Sequence, residues 1–195
     1  EILNKVLSFY KTYYKGWIDG AMRLGKCKIV IDLFKEHVYT YPYILIAYPD
    51  NKLRQTWIDE CDKWGYNNLN IRYVNFSSLS KYLNDDFEFF VCDEFHSLSE
   101  KEQTLASEIT ENSTYSLFLS GTISKETKQK WPQFKEIAKY TTEMGISDKI
   151  LADYKITVHY VNLDTKSKTP NKKGKLLSEK QRYDNYTFVI NKFQE

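Results

Sequence analysis

Apolar and polar positions along the chain alternate between a helical period and a strand period. Ile2, Val6, Leu7, Phe9 and Tyr10 fall at helical spacing and predict a helix within residues 1–13. Residues 14–19 predict a first strand that feeds a glycine-containing loop. Residues 25–37 predict a helix with Ile29, Ile31, Leu33 and Phe34 inward. A second strand is predicted over 43–48, stopped by Pro49. An amphipathic helix over 51–64 carries Leu53, Trp57, Ile58, Cys61 and Trp64 on one face. A third strand over 70–75 leads into a short helix, with Ser77 or Ser78 as its N-cap. A strand over 87–92, a helix over 99–111 and a strand over 115–119 complete the regular part. Such alternation predicts an α/β fold, a parallel sheet with helices on both faces.

Beyond Thr122 the pattern loosens. Pro132 breaks any long helix through 125–139. Ile156, Val158, Tyr160 and Leu163 alternate and predict a strand over 153–163. Residues 165–175 are rich in Lys and contain Pro170, which reads as a linker or loop, and 178–193 predict a helix capped by Ser178. No internal repeat is visible.

Composition adds bounds. The 195 residues fit one domain, or one domain with a tail, and 42% hydrophobic residues suffice for a core. A net charge of +2 excludes a broadly basic protein, so any nucleic-acid surface is local. Arg occurs only at 23, 54, 72 and 182; the Lys-, Tyr- and Asn-heavy composition points to an AT-rich source such as a phage or a low-GC bacterium. Cys27, Cys61 and Cys92 are far apart and show no metal-ligand spacing. A reducing, cytoplasmic setting is therefore expected. Neither a secretory signal nor an apolar run of membrane-spanning length is present. The chain opens at Glu1 rather than Met, so a fragment is expected.

The candidate chemistry starts at Gly20-Ala21-Met22-Arg23-Leu24-Gly25-Lys26-Cys27. Two glycines separated by four residues, then Lys, form a phosphate loop: backbone N–H groups curl around phosphate oxygens and Lys supplies a point charge. Cys27 stands where the pattern has Ser or Thr to ligate Mg²⁺, and a thiol is a poor match for that hard cation. Further along, the apolar run 87–92 ends in Asp93, Glu94 and His96, and the run 115–119 ends in Ser120, Gly121 and Thr122. Strands with polar chemistry at their C-terminal ends are what an open parallel sheet needs to build a site along one edge.

The order phosphate loop, Asp-Glu-x-His, Ser-Gly-Thr resembles motifs I, II and III of the superfamily 2 (DExH-type) helicases and translocases, over roughly residues 14–163. The resemblance implies a RecA-like P-loop NTPase domain at 1–163, with 164–195 leading towards a second RecA-like domain. It implies ATP and Mg²⁺ as cofactors. Asp93, with the Cys27 position, would face the metal; Glu94 would orient or deprotonate the attacking water; His96 would relay to the coupling residues Ser120, Gly121 and Thr122. Gly121 departs mildly from the family's usual Ser-Ala-Thr.

Pro49, Asn51, Lys52 and Gln55 match the position of motif Ia, where a helix N-terminus beside a lysine suits a nucleic-acid phosphate. Ser77, Ser78 and Lys81 resemble motif Ib. The partner implied is nucleic acid, DNA rather than RNA, with no membrane. Motifs IV to VI, which carry the arginine finger, have no match in these residues. Three functions stay open: the motor domain of a phage-like DNA helicase or translocase, a catalytically weakened nucleotide-binding module acting as an interaction domain, and the motor part of a restriction enzyme.

Overall fold

The computed structural model describes residues 1–21, 24–37, 43–66 and 70–152. The strand, linker and helix expected within 153–193, and Met22 and Arg23 of the loop, lie outside the described residues. The elements in chain order are α1 (Ile2–Phe9), β1 (Lys15–Gly20), α2 (Lys26–His37), β2 (Ile44–Tyr48), α3 (Asn51–Lys63), β3 (Ile71–Asn75), β4 (Phe87–Asp93), α4 (Glu100–Asn112), β5 (Ser113–Ser120), α5 (Lys125–Lys130), β6 (Lys135–Tyr140) and α6 (Thr142–Ser147). Short 3₁₀ turns lie at Phe76–Tyr82 and Phe95–Ser97.

All six strands are parallel, in the order β3-β2-β4-β5-β1-β6. Apolar runs without alternation become the central strands, because helices cover both sides. On one face, Val6 of α1 and Tyr10 just after it, Val30, Ile31, Leu33 and Phe34 of α2, and Trp57 and Cys61 of α3 pack on Ile18, Ile46, Phe89, Val91 and Leu119. On the other, Ala106 and Ile109 of α4 join Leu79, Phe95, Trp131 and Phe134 against Leu45, Phe90, Cys92 and Phe118. The helices therefore cover both faces, as predicted. The aromatic side chains serve this packing: the Phe118 ring lies 4.3 Å from Phe134 and 4.8 Å from Trp131.

Two local expectations are corrected. The turn after β3 is capped by Asn75, whose side chain accepts from the Ser77 backbone N–H at 3.0 Å. Ser77 instead donates its hydroxyl to Asn75 Oδ1 at 2.8 Å, so neither Ser77 nor Ser78 is the cap. The weakly patterned stretch after Thr122 contains a sixth strand. β6 lies at the sheet edge and buries Ala138 alone, so its ladder with β1 defines it, not an apolar run. Gly16 of β1 allows the close approach: a Cβ there would lie 2.7 Å from Ile137 Cγ1 and 2.8 Å from Phe9 Cε1. Pro132 does end α5, as predicted. α4 starts in a capping box, Ser99 and Glu102 each bonding the other's backbone N–H. No helix among the described residues is long and apolar enough to cross a membrane.

Candidate functional site

The strand order decides which predicted residues meet. β4, β5 and β1 are adjacent, so their C-terminal ends bring Asp93-Glu94, Ser120 and the Gly20 loop to one edge. Gly25 turns the chain into α2 at φ +76°, a left-handed conformation that glycine adopts without strain. Lys26 follows as the first residue of α2, where backbone N–H groups and the helix dipole favour an anion.

Lys26 Nζ lies 3.0 Å from Glu94 Oε1, and its side chain is only 10% exposed. Glu94 has φ +53°, unusual for a residue with a Cβ. Its carbonyl accepts from the Ser97 hydroxyl at 2.8 Å and the Ser97 N–H at 3.0 Å, which stabilises the bend. His96 Nδ1 lies 2.8 Å from Ser120 Oγ and 3.4 Å from Glu94 Oε2. The carboxylate favours the tautomer with the proton on Nδ1. Ser120 Oγ then donates to the Thr122 carbonyl at 3.1 Å and accepts from the Thr122 N–H at 3.1 Å. A continuous polar chain thus runs Lys26, Glu94, His96, Ser120, Thr122.

Asp93 ends β4 in the interior, and the Trp57 indole N–H donates to its Oδ2 at 3.0 Å. Oδ1 is buried with no hydrogen-bond partner. Burial pushes the carboxyl up to about 6, with Lys26 pulling it down and Glu94 pushing it up. Burial, and next the Asp93 charge, push the Cys27 thiol up to about 12. The thiol therefore stays neutral at physiological pH, and a neutral thiol is a poor metal ligand. Among the described residues no group of three or more His, Cys, Asp or Glu could hold a metal ion unaided.

The buried charge has a consequence for stability. Above pH 6 native Asp93 is ionised and burial opposes folding; as pH falls from 6 to the ordinary 3.8, the native state takes up its proton first and the penalty disappears. Asp93→Asn is thus expected to stabilise the ligand-free protein at pH 8 by roughly 1–3 kcal/mol. The gain should vanish by pH 4. Urea midpoints at both pH values check this, and an equal gain at both would contradict it.

The residues predicted to meet nucleic acid follow β2 and β3, at the same sheet edge but on the far side of β4 from β5 and β1. Asn75 Nδ2 donates to the Pro49 carbonyl at 2.9 Å and ties the two loops. Asn51, Lys52, Gln55 and Ser77 are exposed. Gln55 bonds Asp59 at 2.7 Å. The expected free helix N-terminus is occupied: Asp50 caps α3 and accepts from the Lys52 N–H at 2.5 Å. A phosphate there would meet that carboxylate, while the Lys52 side chain beside it is exposed.

Trp57, whose spacing places it in the core, also reaches Asp93 through its indole N–H. The available signal is its indole N–H, which seeks a partner when buried.

Neither a family model nor a curated protein matches the sequence. Solved structures do. A hypothetical ATP-dependent RNA helicase from Sulfolobus tokodaii matches with TM-score 0.57 at 14% identity, over 70% of this chain and 52% of that one. The fold is RecA-like. The same fold recurs in a nuclease-deletion mutant of the Type ISP restriction-modification enzyme LlaGI bound to a DNA substrate mimic, with TM-score 0.57 at 12% identity, over 76% and 20% of the two chains. It recurs again in the large terminase of a thermophilic bacteriophage, with TM-score 0.55 at 10% identity, over 76% and 49%. The RecA-like domain here thus spans about half the length of the helicase it resembles.

Proposed function

We propose that this chain is the ATP-binding motor domain of a superfamily 2, DExH-type DNA helicase or translocase of a phage or a bacterium, acting in the bacterial or phage-infected host cytoplasm. The observation that supports it most is the contact chain Lys26–Glu94–His96–Ser120, which joins all three motif segments at one sheet edge. In this reading the Gly20–Cys27 loop and the α2 N-terminus hold the phosphates of ATP. Lys26 leaves Glu94 for a phosphate oxygen. Glu94, released, orients a water, and His96 carries the change to Ser120 and Thr122. The orphaned Asp93 Oδ1 fits a cation held mainly by the nucleotide. When bound, Mg²⁺ neutralises phosphate charge during transfer. Steady-state phosphate release, with and without DNA, tests the reading; no hydrolysis in a protein that includes a second RecA-like domain would contradict it.

A second reading, a catalytically weakened nucleotide-binding module, draws on Cys27, whose neutral thiol stands where a hydroxyl is expected. Cys27→Thr is therefore expected to strengthen Mg²⁺ dependence of nucleotide binding severalfold, and to raise hydrolysis where a second domain is present. Calorimetry with and without Mg²⁺ checks it; identical behaviour of both proteins would place Cys27 away from the cation. A restriction-enzyme motor is the third reading, and a nuclease motif in the same protein would select it.

Single strands should bind this domain weakly through Lys52, with affinity falling as salt rises because phosphate contacts release counterions. Lys52→Ala should weaken binding without sequence preference. A labelled-DNA titration at several salt concentrations checks both; salt-independent binding would put the strand elsewhere.

A further inference from the structure

We propose that Trp57 is a positioning residue for the nucleotide site, an inference that rests on Asp93 being the carboxylate that faces bound Mg²⁺. Trp57 lies on α3, is fully buried, and donates its indole N–H to Asp93 Oδ2 at 3.0 Å. An indole N–H only donates, so the bond commits one carboxylate oxygen and stops the group from rotating. The other oxygen, Oδ1, is buried and unpartnered. One oxygen held by an outer donor while the other stays open is the arrangement that orients a metal-facing carboxylate.

The helix gives the contact a wider consequence. Trp57 lies five positions after Lys52 on α3, and that helix starts at Asn51. One rigid element therefore joins the exposed polar surface of Lys52 and Gln55 to the buried carboxylate.

The decisive comparison removes the donor and keeps the shape. Trp57 is replaced site-specifically by benzothienylalanine, which carries sulfur in place of the indole N–H; Trp57→Phe is the second variant. Circular dichroism and urea midpoints establish that each is folded. The readout is the ratio of ADP dissociation constants in EDTA and in Mg²⁺, by calorimetry. The ratio is expected to fall towards one, a loss of up to about 10–100-fold in the Mg²⁺ contribution, while affinity in EDTA stays within about twofold. A packing role alone would weaken binding equally in both buffers. A ratio unchanged from wild type in the benzothienyl variant overturns the inference and leaves the nucleotide reading standing. A wild-type chain that binds no ADP overturns both; one that binds ADP equally with and without Mg²⁺ overturns the inference and the placing of Asp93 at Mg²⁺, and leaves nucleotide binding standing.

Discussion

Joined to a second RecA-like domain that brings an arginine to the transferring phosphate, this domain is expected to hydrolyse ATP about 10³–10⁵ times faster than it does alone. The reason lies in the charge available at the site. Lys26 is the one lysine or arginine among the described residues tied to Asp93 or Glu94 by an ion pair or an electrostatic shift. In the proposed reading Lys26 supports phosphate binding, and the charge that develops in transfer favours a further positive group. Glu94, the base of the proposed reading, is also engaged, held by Lys26 and approached by His96. Phosphate release by the 195-residue chain and by a two-domain protein, each with and without single-stranded DNA, measures the difference. Equal rates would remove the two-domain reading.

Lys26→Ala is expected to weaken ADP and ATP binding about 10–100-fold, from the loss of one charge-assisted contact to the phosphates. The fold should survive, because α2 is anchored by Val30, Ile31, Leu33 and Phe34 rather than by its first residue. The substitution also leaves Glu94 without its lysine partner. Calorimetry against both nucleotides, with circular dichroism as a folding check, reads the effect. Unchanged affinity in the variant would remove the phosphate-loop assignment.

The fold is legible in the sequence because buried parallel strands are apolar without interruption. β2 and the ends of β4 and β5 are such runs, and each strand predicted within the described residues lies within two residues of the observed one. The sequence pattern puts Lys26, Asp93, Glu94, His96 and Ser120 at or after the C-terminal ends of strands; which of those strands are neighbours is not in the pattern, and their meeting is expected only from the family resemblance. β6 is not legible, since it is mostly polar and depends on its ladder with β1. The Asn75 and Asp50 caps escape the sequence because several adjacent polar residues could each have capped those turns. The Trp57–Asp93 bond and the neutrality of Cys27 depend on distance and burial, which spacing does not encode.

A backbone amide titration of the ¹⁵N-labelled chain with Mg-ADP tests the nucleotide site most directly. The expected result is saturable shifts largest at Gly25, Lys26 and Cys27, with smaller ones at Glu94, His96 and Ser120 through their contact chain. Shifts confined to another surface, or no saturable shift at all, would contradict a nucleotide site at this edge of the sheet.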